Sequence, residues 1–141
     1  MNVHQIEARR WFRQAQADRA VVRTLCSERH YAAACFHAQQ TTEKALRAVL
    51  FSQGHRVVWG HSVRDLARQC EAHDPAFARV AKDAALLDQF YIPTRYPNGL
   101  PSPAVPSETY SLTEAEAAQG AAERTLSVVE IFLRTRTVVL D

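Results

Sequence analysis

The chain has 141 residues, which is enough for one domain built around one hydrophobic core. Its hydrophobic fraction of 47% and charged fraction of 23% are ordinary for a globular protein and exclude disorder throughout the chain. The formal net charge of +2 is too small to indicate a nucleic-acid-binding protein by itself, so any anion site must come from local clustering of cations. We therefore predict a single domain spanning residues 1–141.

The three cysteines, Cys26, Cys35 and Cys70, are odd in number and widely spaced, which is not the pattern of a disulfide framework or a zinc site. We interpret them as reduced thiols of the core. The N-terminal residues are polar and charged, and no apolar run approaches the length that a bilayer requires. These features predict a cytoplasmic protein with no membrane partner.

The first half of the chain predicts three helices. Apolar residues recur at helical spacing over Ile6–Cys26 and again over about His30–Gln53, after which Gly54 supplies a C-terminal stop. Ser62 and Asp65 resemble a capping box, so a third helix is predicted to begin there.

The second half predicts two more helices. Asp74 and Pro75 fit the start of a fourth helix that ends near Phe90, because aspartate caps free amides and proline suits a first turn. Thr113 with Glu116 resembles another capping box and opens a final helix. The predicted inner face of this last helix is Ala118, Ala122, Leu126, Val129 and Phe132. Since no strand pattern occurs, we predict an all-α fold, an antiparallel up-and-down bundle of about five helices with a four-helix-bundle core.

A proline-rich loop precedes the last predicted helix. Residues 91–110 hold five of the six prolines and three tyrosines, and are predicted to be non-helical. A loop of this length in a small domain is usually either functional or disordered. Its first half has aromatic anchors and is predicted to be ordered, whereas residues 100–107 are predicted to be mobile.

Arg95 is the leading candidate for an anion-binding residue, because it lies between Thr94 and Tyr96 in a stretch stiffened by prolines. A guanidinium binds phosphate oxygens bidentately, and the rings of Tyr91 and Tyr96 offer a stacking platform for a base. The alternative interpretation is that Arg95 pairs with a helix carboxylate while the tyrosines fill the core.

Polar side chains on the second predicted helix form one stripe. His37, Gln40, Lys44 and Arg47 lie at i, i+3, i+7 and i+10, beside the apolar face. Near Arg95 they would extend an anion site; the alternative is a solvated helix face.

Asp18 interrupts the apolar stripe of the first predicted helix. Burying an unpaired carboxylate is costly, so we hypothesise that Asp18 pairs with Lys44, Arg47 or Arg95 and positions that cation for a ligand. Alternatively, Asp18 lies at the edge of the stripe.

The histidines do not predict a metal site. His55 and His61 flank Trp59 between the second and third predicted helices, but no further ligands stand at a diagnostic spacing. We therefore predict no metal and no cofactor. No serine or cysteine has a base at a recognisable spacing, and no glycine-rich phosphate loop occurs. His61 and Trp59 remain candidates for contact with a phosphate or a base.

Three segments, in this order, resemble the HEPN family of small helical domains. They are YAAACFHAQQTTEK at residues 31–44, WGHS at 59–62 followed by Asp65 and Leu66, and YIPTRYPN at 91–98. The resemblance implies a helical bundle that associates as a dimer, with a polar pocket near the subunit contact and the TRYP loop. Such domains are often encoded beside, or fused to, a minimal nucleotidyltransferase. Some bind nucleotides, and others are RNA-cleaving toxins.

The nuclease members carry an arginine followed, after four to six residues, by a histidine near the last helix. No histidine stands at that spacing after Arg95. Arg68 and His73 have the spacing, but they lie at the end of the third predicted helix, and we interpret their match as chance. Asn98 stands where the family usually has an acid after TRYP, so this chain lacks that carboxylate. The sequence thus favours binding over catalysis.

We predict a nucleotide- or RNA-binding module that forms a homodimer or higher homo-oligomer and belongs to a two-gene, toxin–antitoxin-like system with a minimal nucleotidyltransferase. The alternatives are a metal-independent ribonuclease and a pure oligomerisation or partner-docking subunit. The residues predicted to contact phosphate or base are Arg95, Lys44, Arg47, Tyr96, Tyr91, Thr94, Gln40, His37, Trp59 and His61, with Asp18 as their structural partner.

Overall fold

The computed structural model describes all residues from 1 to 141 and contains only helices, turns and loops. The α-helices are α1 (Val3–Ser27), α2 (Tyr31–Ser52), α3 (Val63–Glu71), α4 (Ala81–Asp88), α5 (Pro106–Thr109) and α6 (Leu112–Thr135), with 3-10 segments at Pro75–Val80 and Pro97–Gly99. The predicted all-α fold class is confirmed. None of these helices is both long enough and apolar enough to cross a bilayer.

Helix α2 is the centre of the bundle. Its buried residues lie on almost every side, and it packs mainly against α1 and α6. The chain reverses between α1 and α2 in a tight turn in which Arg29 takes a φ of 65°, so the two helices run antiparallel. Gly54 ends α2 as predicted, because it adopts a φ of 92° that residues with a Cβ rarely take.

Two apolar clusters fill the bundle. The larger contains Phe12, Leu46 and Phe77, which have almost no exposed surface, and the smaller lies around Cys35 and Leu87. The predicted inner face of α6 is buried along its whole length.

None of the cysteines forms a disulfide bond, and two of them, Cys35 and Cys70, are buried. Burial raises the pKa of the Cys35 thiol to about 12 and also raises the pKa of Cys70. Both thiols therefore stay protonated and unreactive at neutral pH, as residues of the core.

Two predicted helices have different bounds in the structure. Helix α1 begins upstream of Ile6 because Asn2 and Gln5 form a reciprocal capping box. The fourth predicted helix is divided into the 3-10 segment Pro75–Val80 and helix α4, and the change of winding falls at Val80, where ψ is -1°.

The start of α6 was predicted two residues too late. Ser111 and Glu114 form the capping box, and Glu114 accepts hydrogen bonds from the backbone N–H and the hydroxyl of Ser111. Ser111 has the extended backbone that an N-cap requires, whereas Thr113 already belongs to the first turn.

The prediction that residues 91–110 contain no helix was wrong. Pro97 opens the short 3-10 segment and Pro106 opens α5. At the first position of a helix the missing N–H costs no helical hydrogen bond, and the fixed φ of proline favours the turn. The mobility of residues 100–107 remains a prediction.

Helix α3 begins at Ser62 as predicted, but its cap depends on a distant residue. Ser62 accepts a hydrogen bond from the backbone N–H of Asp65. The carboxylate that completes the cap is Asp88, which accepts from the Ser62 hydroxyl at 2.8 Å and from the N–H groups of Val63 at 2.6 Å and Arg64 at 3.2 Å. The end of α4 therefore holds the start of α3.

We expect Asp88→Ala to lower the free energy of unfolding by roughly 1–2 kcal/mol, because it frees the first amides of α3. Asp65→Ala is the matched control and should cost about 0.5 kcal/mol or less, since Asp65 contributes only its charge near the helix start. Urea denaturation followed by circular dichroism measures both values. Equal destabilisation in the two variants would contradict the assignment of Asp88 as the cap.

Candidate functional site

Arg95 lies among aromatic rings and has no carboxylate partner. Its guanidinium carbon lies 4.3 Å from the ring centroid of Phe36, 4.8 Å from that of Tyr91 and 5.0 Å from that of Tyr96. Its Nε donates to the backbone carbonyl of Tyr91 at 2.9 Å. None of the ion pairs of the protein includes Arg95, and the residue is exposed. Its two terminal nitrogens are therefore available to an anion.

This geometry argues against the alternative interpretation, in which Arg95 pairs with a helix carboxylate while the tyrosines fill the core. Arg95 does not pair with a helix acid, and Tyr96 does not fill the core, since 51% of its surface is exposed. Tyr91 is half-buried and packs between the loop and α2, where its ring lies 6.3 Å from that of Phe36. The rings orient the arginine without neutralising its charge.

His61 is oriented by a buried carboxylate. Glu43, on α2, is only 5% exposed and accepts a hydrogen bond from Nδ1 of His61 at 2.9 Å. Because a carboxylate can only accept, Nδ1 carries the proton, and Nε2 is the remaining polar atom of the ring. The ring stacks on Tyr91 with centroids 4.9 Å apart. His61 and Arg95 therefore border the same tyrosine.

Arg47 is buried and bonded to the protein itself, whereas a residue that binds the phosphate of a ligand is expected to be accessible. It is 9% exposed, and its terminal nitrogens donate to the backbone carbonyls of Val58 and Gly60. Its Nε lies 3.8 Å from the carboxylate of Glu43. The guanidinium therefore holds the connection between α2 and α3 in place and is not presented to a ligand.

Thr94 and Gln40 also have intramolecular partners. The hydroxyl of Thr94 is buried and donates to the carbonyl of Phe90 at 2.5 Å, which shapes the start of the loop. The amide of Gln40 donates to the side chain of Gln39 at 2.7 Å, and Gln39 in turn donates to the carbonyl of His61 at 3.0 Å. Thr94 is thus inaccessible, whereas Gln40 is half-buried and stays on the accessible face of α2.

Trp59 projects from the same connection and is 82% exposed. An indole with this exposure makes few intramolecular contacts, so its surface is free for stacking. The backbone of the neighbouring Gly60, with a φ of 82°, turns the chain at this point and presents its carbonyl to Arg47.

Asp18 lies opposite α2 and is 8% exposed. Of the three partners that the sequence left open, the structure places Lys44 against it, with Nζ 2.5 Å from Oδ2. Gln14 donates to the other oxygen at 2.9 Å. His37 is close enough to feel both charges, but burial is the largest influence and lowers its pKa.

Sequence reasoning missed three residues that organise the site: Phe36, Gln39 and Glu43. Glu43 lies on the second predicted helix, next to Lys44. Its spacing of four residues from Arg47 indicated a possible ion pair, but its contact with His61 joins two segments that are distant in sequence. Phe36 was hidden within the apolar pattern of α2, since nothing in the sequence shows that Arg95 lies over its ring.

His55 and His73 form a pair of histidines outside this site. Nε2 of His55 is 3.1 Å from Nε2 of His73, which joins the segment after α2 to the segment after α3. Burial, then the nearness of His55 and Arg136, lowers the pKa of His73. No group of three or more histidine, cysteine, aspartate or glutamate side chains is placed to hold a metal ion.

Comparisons with known proteins agree with the fold. The model of the HEPN domain family matches residues 8–135. The chain is similar to TT1696 from Thermus thermophilus, at 35% identity and a TM-score of 0.84, with 89% of this chain and 98% of the other covered. It is also similar to ST0689, described as an archaeal HEPN homologue, at 31% identity and a TM-score of 0.74, with 94% and 99% covered.

A further relative is a protein of Methanocaldococcus jannaschii that bears the name "Putative toxin MJ1304". It is 26% identical over 136 residues, which cover 92% of this chain and 90% of the relative.

We expect the stability of the protein to fall as the pH drops below about 6.5, the ordinary pKa of histidine. The pKa values of His73 and His37 are lowered in the folded state, so the unfolded chain binds protons first, and the stabilisation that is complete above this pH is lost as the pH falls through the folded values. The melting temperature at about pH 8 and about pH 5.5 measures the effect.

His73→Gln should reduce this pH dependence because it removes one of the two histidines whose pKa is lowered in the folded state. His30→Gln, which makes the same substitution at an exposed position, provides the control. A wild-type melting temperature that is the same at both pH values would contradict the prediction.

Proposed function

The chain belongs to the HEPN domain family, and from that premise we propose that it binds a nucleotide or RNA at the loop that carries Arg95. The observation that supports this proposal is an exposed guanidinium held by three aromatic rings with no acid beside it. The three rings contact this guanidinium without accepting hydrogen bonds from its terminal N–H groups. Those N–H groups can therefore donate charge-assisted hydrogen bonds to the anion of a ligand.

The ligand's phosphate contacts Arg95, and its base stacks on an exposed aromatic ring. Tyr96 and Trp59 are the rings with the most accessible surface near this site, and base–aromatic stacking tolerates any base. His61 and Tyr91 line the site, and Gln40 and His37 lie further along the accessible face of α2.

The protein acts as a homodimer or higher homo-oligomer and has a minimal nucleotidyltransferase as its partner. The family resemblance of the TRYP loop supports this part of the proposal, and the toxin name of the relative from Methanocaldococcus jannaschii supports a toxin–antitoxin-like setting. Sedimentation of the purified chain and co-purification with a nucleotidyltransferase encoded next to it test these two statements.

Arg95→Ala should weaken the binding of ATP and of a short RNA by about tenfold or more, because it removes a charge-assisted pair of hydrogen bonds. Arg79→Ala, which removes an exposed arginine from the 3-10 segment before α4, should leave both affinities unchanged. Calorimetric titration with ATP and fluorescence anisotropy with labelled RNA, both at low salt, provide the measurements.

Wild-type protein without affinity for either ligand would contradict the proposal. If Arg95→Ala left ligand binding intact but abolished binding of the nucleotidyltransferase, the chain would be a docking subunit instead.

The Glu43–His61 pair favours a second candidate function, cleavage of RNA without a metal ion. Glu43 fixes the tautomer in which Nε2 of His61 can accept a proton, and Arg95 borders the same tyrosine ring. In this reaction Nε2 takes the proton of a ribose 2′-hydroxyl, whose oxygen bonds to the phosphorus. The bond to the 5′-oxygen breaks, water protonates that oxygen, and a 2′,3′-cyclic phosphate remains.

His61→Ala should abolish this cleavage, and Glu43→Gln should slow it by about a hundredfold or more because the tautomer is no longer fixed. His30→Ala serves as the control. The measurement is gel analysis of labelled RNA after long incubation with a chelator, and RNA that stays intact with the wild-type protein excludes this function.

A further inference from the structure

An open cleft lies between α1 and α2. Its volume is about 610 Å³. The residues that line it are Glu7, Arg10, Trp11, Arg13, Gln14 and Lys44. Five of these residues belong to α1, and only Lys44 comes from α2.

The cleft has a surplus of positive charge. Arg13 is exposed and takes part in none of the ion pairs of the protein. Arg10 pairs with Glu7 at 2.9 Å, but both side chains are exposed, at 73% and 37%, and such surface pairs are weak. An incoming phosphate can therefore replace Glu7 as the partner of Arg10.

Lys44 contributes a positioned cation to the same cleft. Its ammonium group carries three donors, and Asp18 occupies one of them. Since Asp18 is itself nearly buried and held by Gln14, the ammonium is fixed at the edge of the cleft with donors left for a ligand.

The wall of the cleft is rigid as well as charged. The Trp11 ring stacks on Phe51 with centroids 5.5 Å apart, and its Nε1 donates to Glu7 at 3.0 Å. The guanidinium of Arg47, on α2, lies 5.7 Å from the Trp11 ring centroid. The indole is therefore held in place before any ligand arrives, which lowers the entropy cost of binding.

A ridge of α2 connects this cleft to Arg95. Phe36, Gln40 and Lys44 stand at i, i+4 and i+8 and form one row along the helix. Phe36 lies under Arg95, and Lys44 lines the cleft. Eight residues of helix span about 12 Å, whereas successive phosphates of one strand are about 3.4 Å apart along the axis of a DNA helix. Cations at the two ends of the ridge thus match phosphates that are several nucleotides apart.

We infer that the α1–α2 cleft is a second phosphate subsite and that the ligand is a single strand of RNA of several nucleotides rather than a free nucleotide. The strand passes from Arg95 along the α2 ridge to Lys44, Arg10 and Arg13. This inference rests on the proposed function, since it requires that Arg95 binds one of the phosphates. The aromatic surfaces of Tyr96 and Trp59 favour a nucleic acid over a polyanion without aromatic groups, because nucleic-acid bases stack on exposed aromatic rings.

The test measures the binding of a labelled ten-nucleotide oligouridylate and of ATP to the wild-type protein and to variants with single or double substitutions. Arg13→Glu should weaken oligonucleotide binding by about tenfold or more and leave ATP binding unchanged. The salt dependence of oligonucleotide binding should fall by about 0.7 in logarithmic slope for each phosphate that the variant no longer neutralises.

Arg79→Glu makes the same change of charge at an exposed arginine outside the cleft and should have a much smaller effect. Arg95→Ala should weaken the binding of both ligands.

The outcomes separate this inference from the proposed function. If Arg95→Ala weakens ATP binding but Arg13→Glu behaves like Arg79→Glu, the cleft is not a subsite, and the Arg95 site stands alone. If Arg95→Ala changes neither affinity, the proposed function itself fails. An oligoglutamate peptide of the same length that binds as tightly as the RNA would also overturn the inference, since the site would then recognise charge alone. Arg10→Ala combined with Arg13→Ala repeats the test without introducing a negative charge.

Discussion

The buried carboxylate of Glu43 is the interaction on which the candidate site depends. It binds His61 directly and lies next to Arg47, whose guanidinium in turn holds the carbonyls of the connection between α2 and α3. A charge this deeply buried is stable only with partners, and here the partners come from a segment without regular structure. The connection therefore takes one conformation on the surface of α2, and His61 supports the ring of Tyr91, against which Arg95 packs.

This arrangement explains how a loop rich in proline can present a fixed cation. The prolines limit the backbone, but the position of the Arg95 guanidinium comes from the rings of Phe36, Tyr91 and Tyr96. Aromatic rings orient a guanidinium without neutralising it, unlike a carboxylate. Arg19, Arg23 and Arg124 instead pair with carboxylates on other helices, as Arg124 does with Asp83 at 2.8 Å, and tie these helices together. The same residue type thus has two roles, and its neighbours determine which one it has.

Side chains on the polar face of α2 contact two different parts of the protein. On one side Glu43 and Phe36 contact the loops, and on the other His37 and Lys44 face α1 and Asp18. Since α2 is buried on most of its circumference, this face is the part of the helix from which polar side chains can reach solvent. The proposed oligonucleotide, if it follows this face, would meet one cation from the loop and others from α1, so its length would decide how many of these cations it reaches.

The sequence by itself determined the all-α class and the approximate spans of α1, α2, α3 and α6, together with the buried face of α6, the core positions of Cys35 and Cys70 and the HEPN resemblance, because these depend on periodicity, composition and local motifs. It also identified Arg95, whose proline-bounded surroundings are visible in the printed chain. It did not determine that Asp88 caps α3, that Arg47 is structural, or that Ser111 rather than Thr113 begins α6. The first two depend on contacts between segments that are distant in the chain, and the third on backbone dihedral angles that several neighbouring residues could adopt. The tertiary structure alone decided the neighbours of each charged side chain, and therefore which cations are paired and which remain free to bind a ligand.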